Sequence, residues 1–141
     1  MRLTHFTDLA LRLLLFMAAH PDQRTTIAQA AAAYGVSRSH LMKVAARLAS
    51  AGLIRPGRGR GGGLALSRPP REITLGEVLR ATEPDFAMVG CMAGEACTLT
   101  AVCRLPSALE SALRAFLETA DRYSILDVLP GHWPVAPPPQ I

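Results

Sequence analysis

One short segment of this chain separates the helical parts on either side of it. Residues 56–63 read Pro-Gly-Arg-Gly-Arg-Gly-Gly-Gly, and the apolar pieces Leu53-Ile54-Arg55 and Leu64-Ala65-Leu66 flank them. Two apolar strand-like pieces around a glycine-rich tip predict a β-hairpin. The fold is therefore expected to be helical with one small hairpin.

The first helix is predicted from the spacing of large apolar residues. These recur at steps of three and four residues from about Thr4 to Ala19. Pro21 then ends the helix, because proline lacks the amide that a helix interior requires. The apolar run is too short and too interrupted for a signal peptide or a membrane span, so we expect no membrane association.

The next two predicted helices form a helix-turn-helix. Thr26-Ile-Ala-Gln29 is a capping box that opens a short helix, which ends at Gly35. Ser37 is the predicted N-cap of the following helix, and Gly52 its C-terminal stop. The hairpin comes directly afterwards, so the sequence predicts a winged helix. The inward side of the third helix is expected to carry Leu41, Val44 and Leu48.

Two further helices are predicted after the hairpin. Thr74-Leu-Gly-Glu77 and Ser107-Ala-Leu-Glu110 are both capping boxes, and Pro84 ends the helix that the first one opens. The last helix carries a long apolar stripe, which indicates packing against a second copy in a symmetric homodimer. Packing of the stripe back onto its own domain stays open as an alternative. The stripe consists of Leu109, Leu113, Phe116, Leu117 and Ala120.

The predicted fold class is mainly α: a winged helix-turn-helix with a small β-hairpin wing and a long C-terminal dimerisation helix. The predicted division is a DNA-binding domain (1–82), a cluster-binding loop (83–104), a dimerisation helix with a short terminal helix (105–129), and a Pro-rich flexible tail (130–141).

Positive charge is concentrated in the helix-turn-helix and the hairpin. The net charge is +4, and Lys43 is the single lysine beside many arginines, whose planar fork suits phosphates and guanine edges. We expect Arg58 and Arg60 at the hairpin tip to enter a minor groove. A merely solvated basic face and an RNA-binding segment rich in Arg and Gly remain alternatives. The candidate DNA contacts in the third helix are Arg38, Ser39, His40, Lys43 and Arg47.

Three cysteines, Cys91, Cys97 and Cys103, are evenly spaced in one loop and are the only cysteines in the chain. An odd number cannot pair completely, which indicates the reducing cytosol rather than a secreted scaffold. Thiolates select zinc, copper(I) or iron-sulfur clusters, but structural zinc usually needs a close cysteine pair. A cluster would need a fourth ligand. Three unrelated thiols are the simplest alternative.

These motifs together resemble the winged-helix iron-sulfur regulators, a family that includes NsrR and IscR. The resemblance rests on the opening Arg2 to Arg12, the helix-turn-helix, the wing from Arg58 to Arg68 and the C-x5-C-x5-C spacing, and it covers residues 1 to about 129. It implies a transcriptional repressor with an iron-sulfur cofactor and a double-stranded, palindromic DNA operator.

The resemblance also implies the fourth ligand. IscR-like members carry a histidine three residues after the third cysteine, and here Pro106 stands at that position. NsrR-like nitric-oxide sensors offer a carboxylate near the N-terminus, donated across the dimer to a 4Fe-4S cluster, and Asp8 matches it. Arg12, one turn later, is expected to pair with Asp8 and orient it. Asp8 could instead be an acid favoured by the helix dipole.

The resulting hypothesis is a cytoplasmic repressor that releases DNA when nitric oxide reaches its cluster. An IscR-like sensor of cluster status or redox state, with a 2Fe-2S cluster, is the alternative. An enzyme is not expected, because the sequence shows no nucleotide-binding fingerprint, C-x-x-C pair or acid-base grouping. An electron-transfer protein and a transcription factor without cofactor complete the alternatives.

Overall fold

The structure, a computed structural model, describes residues 2–57 and 62–131. Two 3-10 turns, Pro70–Glu72 and Gly90–Ala93, accompany the regular elements. None of the helices in the described ranges is both long and apolar enough to cross a membrane. In chain order the elements are α1 (His5–Ala19), α2 (Ile27–Tyr34), α3 (Arg38–Ser50), β1 (Ile54–Gly57), β2 (Gly63–Leu66), α4 (Leu75–Thr82) and α5 (Leu105–Ala120).

The core lies where α1 crosses α3 and α4. Helix α1 is buried along most of its length, including Leu13 and Phe16, because its apolar residues cover a wide face. Leu41, Val44 and Leu48 of α3 are fully buried against it, as predicted. The helix-turn-helix is thus held rigidly by the core.

The predicted wing is confirmed as an antiparallel hairpin, with Ile54 opposite Leu66 and Gly57 opposite Gly63. A third piece of chain joins it, because Thr25 exchanges backbone hydrogen bonds with Leu64 in both directions, at 3.0 and 2.7 Å. The wing is therefore fixed to the start of α2, so its base moves with the helix-turn-helix.

Helix ends follow the predicted capping signals in part. Thr26 and Gln29 form the reciprocal capping box. Thr74 caps α4 by accepting from the Glu77 amide at 3.2 Å, but the Glu77 carboxylate accepts from Arg68 at 2.6 Å instead of completing the box. A stronger charged partner therefore replaces half of the second capping box.

The predicted third capping box is wrong. Helix α5 begins at Leu105 with Arg104 as its N-cap, so Ser107 already lies inside the first turn. Pro106 explains the earlier start, because proline suits the first turn, where amides have no helical partner.

A bidentate ion pair joins the end of α5 to α4. Arg80 donates to the two carboxylate oxygens of Asp121 at 2.6 and 2.8 Å, and these hydrogen bonds hold the pKa of Asp121 below its usual value. Gly76 makes this approach feasible, since a Cβ there would collide with the Asp121 carboxylate. A glycine inside a helix, which normally costs stability, is thereby explained.

The chain after α5 returns to the domain through turns, where a short terminal helix was predicted. Ile125 is fully buried and its amide donates to Ile73 at 2.9 Å. The Asp127 carboxylate accepts from the amide and hydroxyl of Ser124, and these bonds lower its pKa. A side chain that bonds nearby backbone in this way favours a turn over a helix.

Candidate DNA interface and metal centre

Helix α3 presents a polar outer face. All five residues predicted to contact DNA from this helix are exposed: Arg38, Ser39, His40, Lys43 and Arg47. Its inner face is locked in the core by Leu41, Val44 and Leu48, so the orientation of the outer face is defined. The helix is therefore suited to lie in a major groove.

The turn before α3 differs from the prediction in one detail. Ser37 occupies the N-cap position, but its hydroxyl bonds the Ser39 hydroxyl at 2.9 Å rather than a first-turn amide. The left-handed Gly35, with φ +61°, ends α2 as predicted. The first amides of α3 remain available for a phosphate at this helix end.

Sequence reasoning missed Met42. This residue is 61% exposed and lies on the same side of α3 as Ser39 and Lys43. The signal was present, because residues three and four apart share a helix face. An exposed apolar side chain between polar ones suits contact with a thymine methyl group.

The other side of this face adjoins α1. His40 and Lys43 line a cavity of 180 Å³ together with His5, Phe6 and Leu9 of α1. Arg47 does not extend freely into solvent, because its Nε donates to the Ala81 carbonyl at the end of α4, at 2.5 Å. Within the predicted set, Arg47 is therefore held by another helix, whereas Ser39 bonds its neighbour Ser37.

Arg58 and Arg60 lie outside the described residues, but the base of the wing carries two other arginines. Arg24 and Arg55 line a concavity with Pro56, Gly57 and Ala65. The Arg24 guanidinium lies so close to Gly57 that a Cβ there would collide with it. Arg24 was missed because it precedes the helix-turn-helix and touches the wing only through tertiary structure.

Asp8 lies on the exposed side of α1 and is bound as predicted. Arg12 Nε donates to Asp8 Oδ1 at 3.0 Å, and His5 Nδ1 is 3.9 Å from Oδ2. The carboxylate remains 41% exposed, so these neighbours orient it without covering it. Asp8 also lines an open concavity with Arg2, Leu3 and Leu11.

Tyr34 connects this pair to the helix-turn-helix. Its hydroxyl donates to the Arg12 backbone carbonyl at 2.9 Å, and the Arg12 guanidinium lies 5.9 Å from its ring centroid. Burial raises the pKa of Tyr34 to about 12, and the charge of Arg12 opposes this rise. The neutral phenol therefore stays bound at any physiological pH.

The three cysteines are unpaired thiols on the loop between α4 and α5. Cys91 lies in the 3-10 turn Gly90–Ala93 and is half-buried, as is Cys103, whereas Cys97 is exposed. Over residues 2–57 and 62–131, no three His, Cys, Asp or Glu side chains are grouped to hold a metal ion. The single chain thus brings the three thiols onto one loop but does not gather them with Asp8 into a ligand set.

The donor chemistry nevertheless fits an iron-sulfur cluster. Three thiolates are the soft ligands that iron-sulfur centres use, and no disulfide or core packing withdraws them. Asp8 adds an oriented, accessible carboxylate that is not grouped with them. The chain therefore carries thiolate and carboxylate donors without gathering them in one place.

The apolar stripe of α5 is only partly covered within the chain. Of its residues only Ala120 is buried, while Leu109, Leu113, Phe116 and Leu117 remain partly exposed. The nearby loop adds the exposed Leu99 and Val102. A stripe of this length is a surface that soluble proteins usually cover with a partner.

A winged helix with a basic, exposed recognition helix defines the chain as a DNA-binding transcriptional regulator rather than an enzyme. The model of the Rrf2 family, described as iron-dependent transcriptional regulators, matches residues 3–131. The chain belongs to this family.

Individual relatives agree with this assignment and confirm the resemblance seen in the sequence. The HTH-type transcriptional regulator NsrR of Geobacillus kaustophilus (strain HTA426) is 45% identical over 132 residues, covering 92% of this chain and 90% of that protein. NsrR of Bacillus subtilis (strain 168) is 42% identical with the same coverage.

Solved structures confirm the fold. IscR from T. potens superimposes with a TM-score of 0.71 at 23% identity, covering 92% of this chain and 86% of that one. CymR, the global cysteine regulator of B. subtilis, gives a TM-score of 0.74 at 23% identity, covering 92% and 96%. The mainly helical winged-helix architecture is thus shared with known regulators.

Proposed function

We propose that this chain is a cytoplasmic iron-sulfur-dependent repressor that binds operator DNA as a homodimer and releases it when exposed to nitric oxide. The observation that carries the proposal is the Asp8 carboxylate, oriented by Arg12 yet 41% exposed on α1. The similarity to two NsrR proteins at 42–45% identity supports the same function.

The ligands are Cys91, Cys97 and Cys103 of one protomer and Asp8 of the partner subunit. A 4Fe-4S cluster bound there supplies iron that reacts with nitric oxide, and a 2Fe-2S cluster is the alternative. A carboxylate is a hard ligand for iron in a sulfide cluster, so this contact is the weakest of the four. Arg12 orients Asp8, and the three thiolates keep the loop in place.

The α5 stripe supplies the dimer contact. Leu109, Leu113, Phe116 and Leu117 form an apolar stripe that the described part of the chain covers only in part. A two-fold axis along this stripe makes the interface isologous, so each protomer presents one loop and one Asp8. Two recognition helices then face two halves of a palindrome.

The DNA contacts divide by chemistry. Ser39, Met42 and Lys43 lie on the outer face of α3 and serve the base edges of the major groove. Arg38 at the start of the helix, Arg55 in the wing and Arg24 beside the wing neutralise phosphates. Arg58 and Arg60 at the wing tip are assigned to the minor groove.

Asp8→Ala tests the proposal. Protein purified without oxygen is analysed for iron, sulfide and absorbance, and nitric oxide is then titrated while operator binding is followed by fluorescence anisotropy. We expect wild type to lose DNA affinity with nitric oxide, and Asp8→Ala to show a changed spectrum and a changed response. Asp22→Ala, an exposed aspartate in the turn after α1, is the charge-matched control.

An unchanged spectrum and an unchanged nitric-oxide response in Asp8→Ala would exclude the assigned ligand. Comparing nitric oxide with oxygen and peroxide, and cluster-loaded with cluster-free protein, separates the proposal from a sensor of cluster supply. A colourless protein from an anaerobic preparation would reject both.

A further inference from the structure

Four consecutive residues at the end of α4 each bind a neighbouring element. Arg80 binds the end of α5, Ala81 accepts from α3, and Thr82 and Glu83 accept from the start of α1. The cysteine loop begins directly after them, at Pro84. The last turn of α4 is therefore the point where the loop, the recognition helix and the dimerisation helix meet.

The contacts to α1 are the most enclosed. The Thr7 hydroxyl donates to the Thr82 hydroxyl at 2.9 Å in the core, and the Thr82 hydroxyl donates to the Val78 carbonyl at 2.7 Å. Glu83 accepts from the Thr4 amide at 2.9 Å. Helix α1 is thus attached at its N-cap, one turn before Asp8, to the residues from which the loop departs.

The contact to α3 depends on Arg47. The Ala81 carbonyl is one of the last four carbonyls of α4, which have no partner within the helix and form the negative end of its dipole. Arg47 Nε donates to it at 2.5 Å. On α3, Arg47 lies between the exposed face and the buried Val44 and Leu48, so its side chain reaches α4 rather than the groove side.

We infer that Arg47 is a positioning residue, which fixes the recognition helix to the end of α4, rather than a contact to DNA. The inference rests on the proposed function, because Arg47 would pass a structural change in the cysteine loop on to the recognition helix. A change in the loop that shifts the last turn of α4 shifts α3 through this bond. Removing the bond leaves DNA binding intact but uncouples it from the loop.

Salt dependence separates the two roles. Each phosphate contact contributes about 0.9 to the slope of log affinity against log salt concentration. Binding to a random-sequence duplex, and to a duplex selected from a random library by the wild type, is measured between about 50 and 200 mM salt. We expect Arg47→Ala to keep the wild-type slope, whereas Arg38→Ala, the matched control, lowers it by about one.

Coupling is measured as the ratio of operator affinity between cluster-loaded and cluster-free protein. We expect this ratio to fall several-fold in Arg47→Ala and to stay at the wild-type value in Arg38→Ala. Arg47→Lys keeps the charge but places its only nitrogen beyond the position of Nε, so it is expected to behave as Arg47→Ala. A phosphate contact would instead be restored by lysine.

Hydrogen exchange of cluster-free protein without DNA gives a readout independent of the proposed function. The amides from Ala81 to Glu83 are expected to exchange faster in Arg47→Ala than in wild type or Arg38→Ala. The inference would be overturned if amide exchange in Arg47→Ala were unchanged. It would also be overturned if Arg47→Ala lowered the salt slope by about one and left the ratio of cluster-loaded to cluster-free affinity unchanged. If the wild type selects no operator, or binds it equally well with and without the cluster, the proposed function is refuted. The role of Arg47 is then decided by the amide exchange rates and by the salt dependence of binding to the random-sequence duplex.

Discussion

The buried hydroxyl pair between α1 and α4 gives a quantitative test of the packing. Thr7 is 0% and Thr82 6% exposed, and the Thr7 hydroxyl donates to Thr82 at 2.9 Å. Replacing Thr82 by valine, which has the same shape, leaves the Thr7 hydroxyl without this acceptor. Replacing Thr7 instead leaves Thr82 its bond to the Val78 carbonyl at 2.7 Å.

The two single substitutions are therefore expected to differ. An unsatisfied buried hydroxyl costs about 1–3 kcal/mol. In Thr82→Val, the Thr7 hydroxyl can donate instead to the Thr4 hydroxyl, which lies 3.1 Å away. The expected loss of unfolding free energy is therefore at the lower end of this range, about 1 kcal/mol. Thr7→Val should cost about 0.5 kcal/mol, since no donor is left unpaired. The double variant should cost no more than Thr82→Val alone, because both polar groups are gone.

Urea unfolding of cluster-free protein, followed by circular dichroism at one fixed protein concentration, measures these free energies. Thr119→Val, on the exposed side of α5, is the matched control and should stay within about 0.5 kcal/mol of wild type. The reasoning would be refuted if the losses of unfolding free energy added up in the double variant, or if Thr7→Val lost more than Thr82→Val. Either result would contradict the direction of the hydrogen bond and the cost assigned to an unsatisfied buried hydroxyl.

Three further substitutions give independent tests. Gly35→Ala adds a methyl group that meets nothing within 4 Å but must adopt φ +61°, so urea unfolding should show a loss of about 1 kcal/mol; no loss would contradict the left-handed turn. Burial raises the pKa of Tyr34 to about 12, so its stabilising contribution is complete below pH 10 and is lost as the pH rises towards 12. Wild type should therefore lose stability relative to Tyr34→Phe over that interval, and parallel pH curves would count against this. Leu113→Glu puts a charge in the α5 stripe and should raise the dimer dissociation constant at least about tenfold by sedimentation, whereas Ser111→Glu on the opposite side should not; equal effects would exclude the stripe as the interface.

The elements were predictable where local chemistry decides them. Apolar spacing, the Thr26 capping box and the glycine-rich segment correctly predicted α1, α2 and the wing, because each depends on residues close in sequence. The start of α5 was missed because two first-turn signals compete there, and Pro106 prevails over Ser107. The residues after α5 form turns because Ile125 packs into a core that sequence spacing alone does not reveal.

The residue types of the candidate site and its local contacts were predictable, but its contacts between distant parts of the chain were not. The ion pair of Asp8 and Arg12 follows from a four-residue helix spacing and is confirmed at 3.0 Å. The contact of Arg47 with Ala81 joins residues far apart in sequence, so a helix projection identifies Arg47 only as exposed. Arg24 at the wing was missed for the same reason.

The length of α4 is constrained by the four contacts at its end. An α-helix turns by about 100° per residue, so deleting one residue from α4 would rotate its last turn and separate Arg80 from Asp121, Ala81 from Arg47 and Thr82 from Thr7 at once. An insertion between Pro84 and Cys91 changes neither a helical phase nor the spacing of the cysteines, and the entropic cost of closing a flexible loop rises only slowly with its length. Variation in length is therefore tolerable next to the cysteines but not in the helix that precedes them.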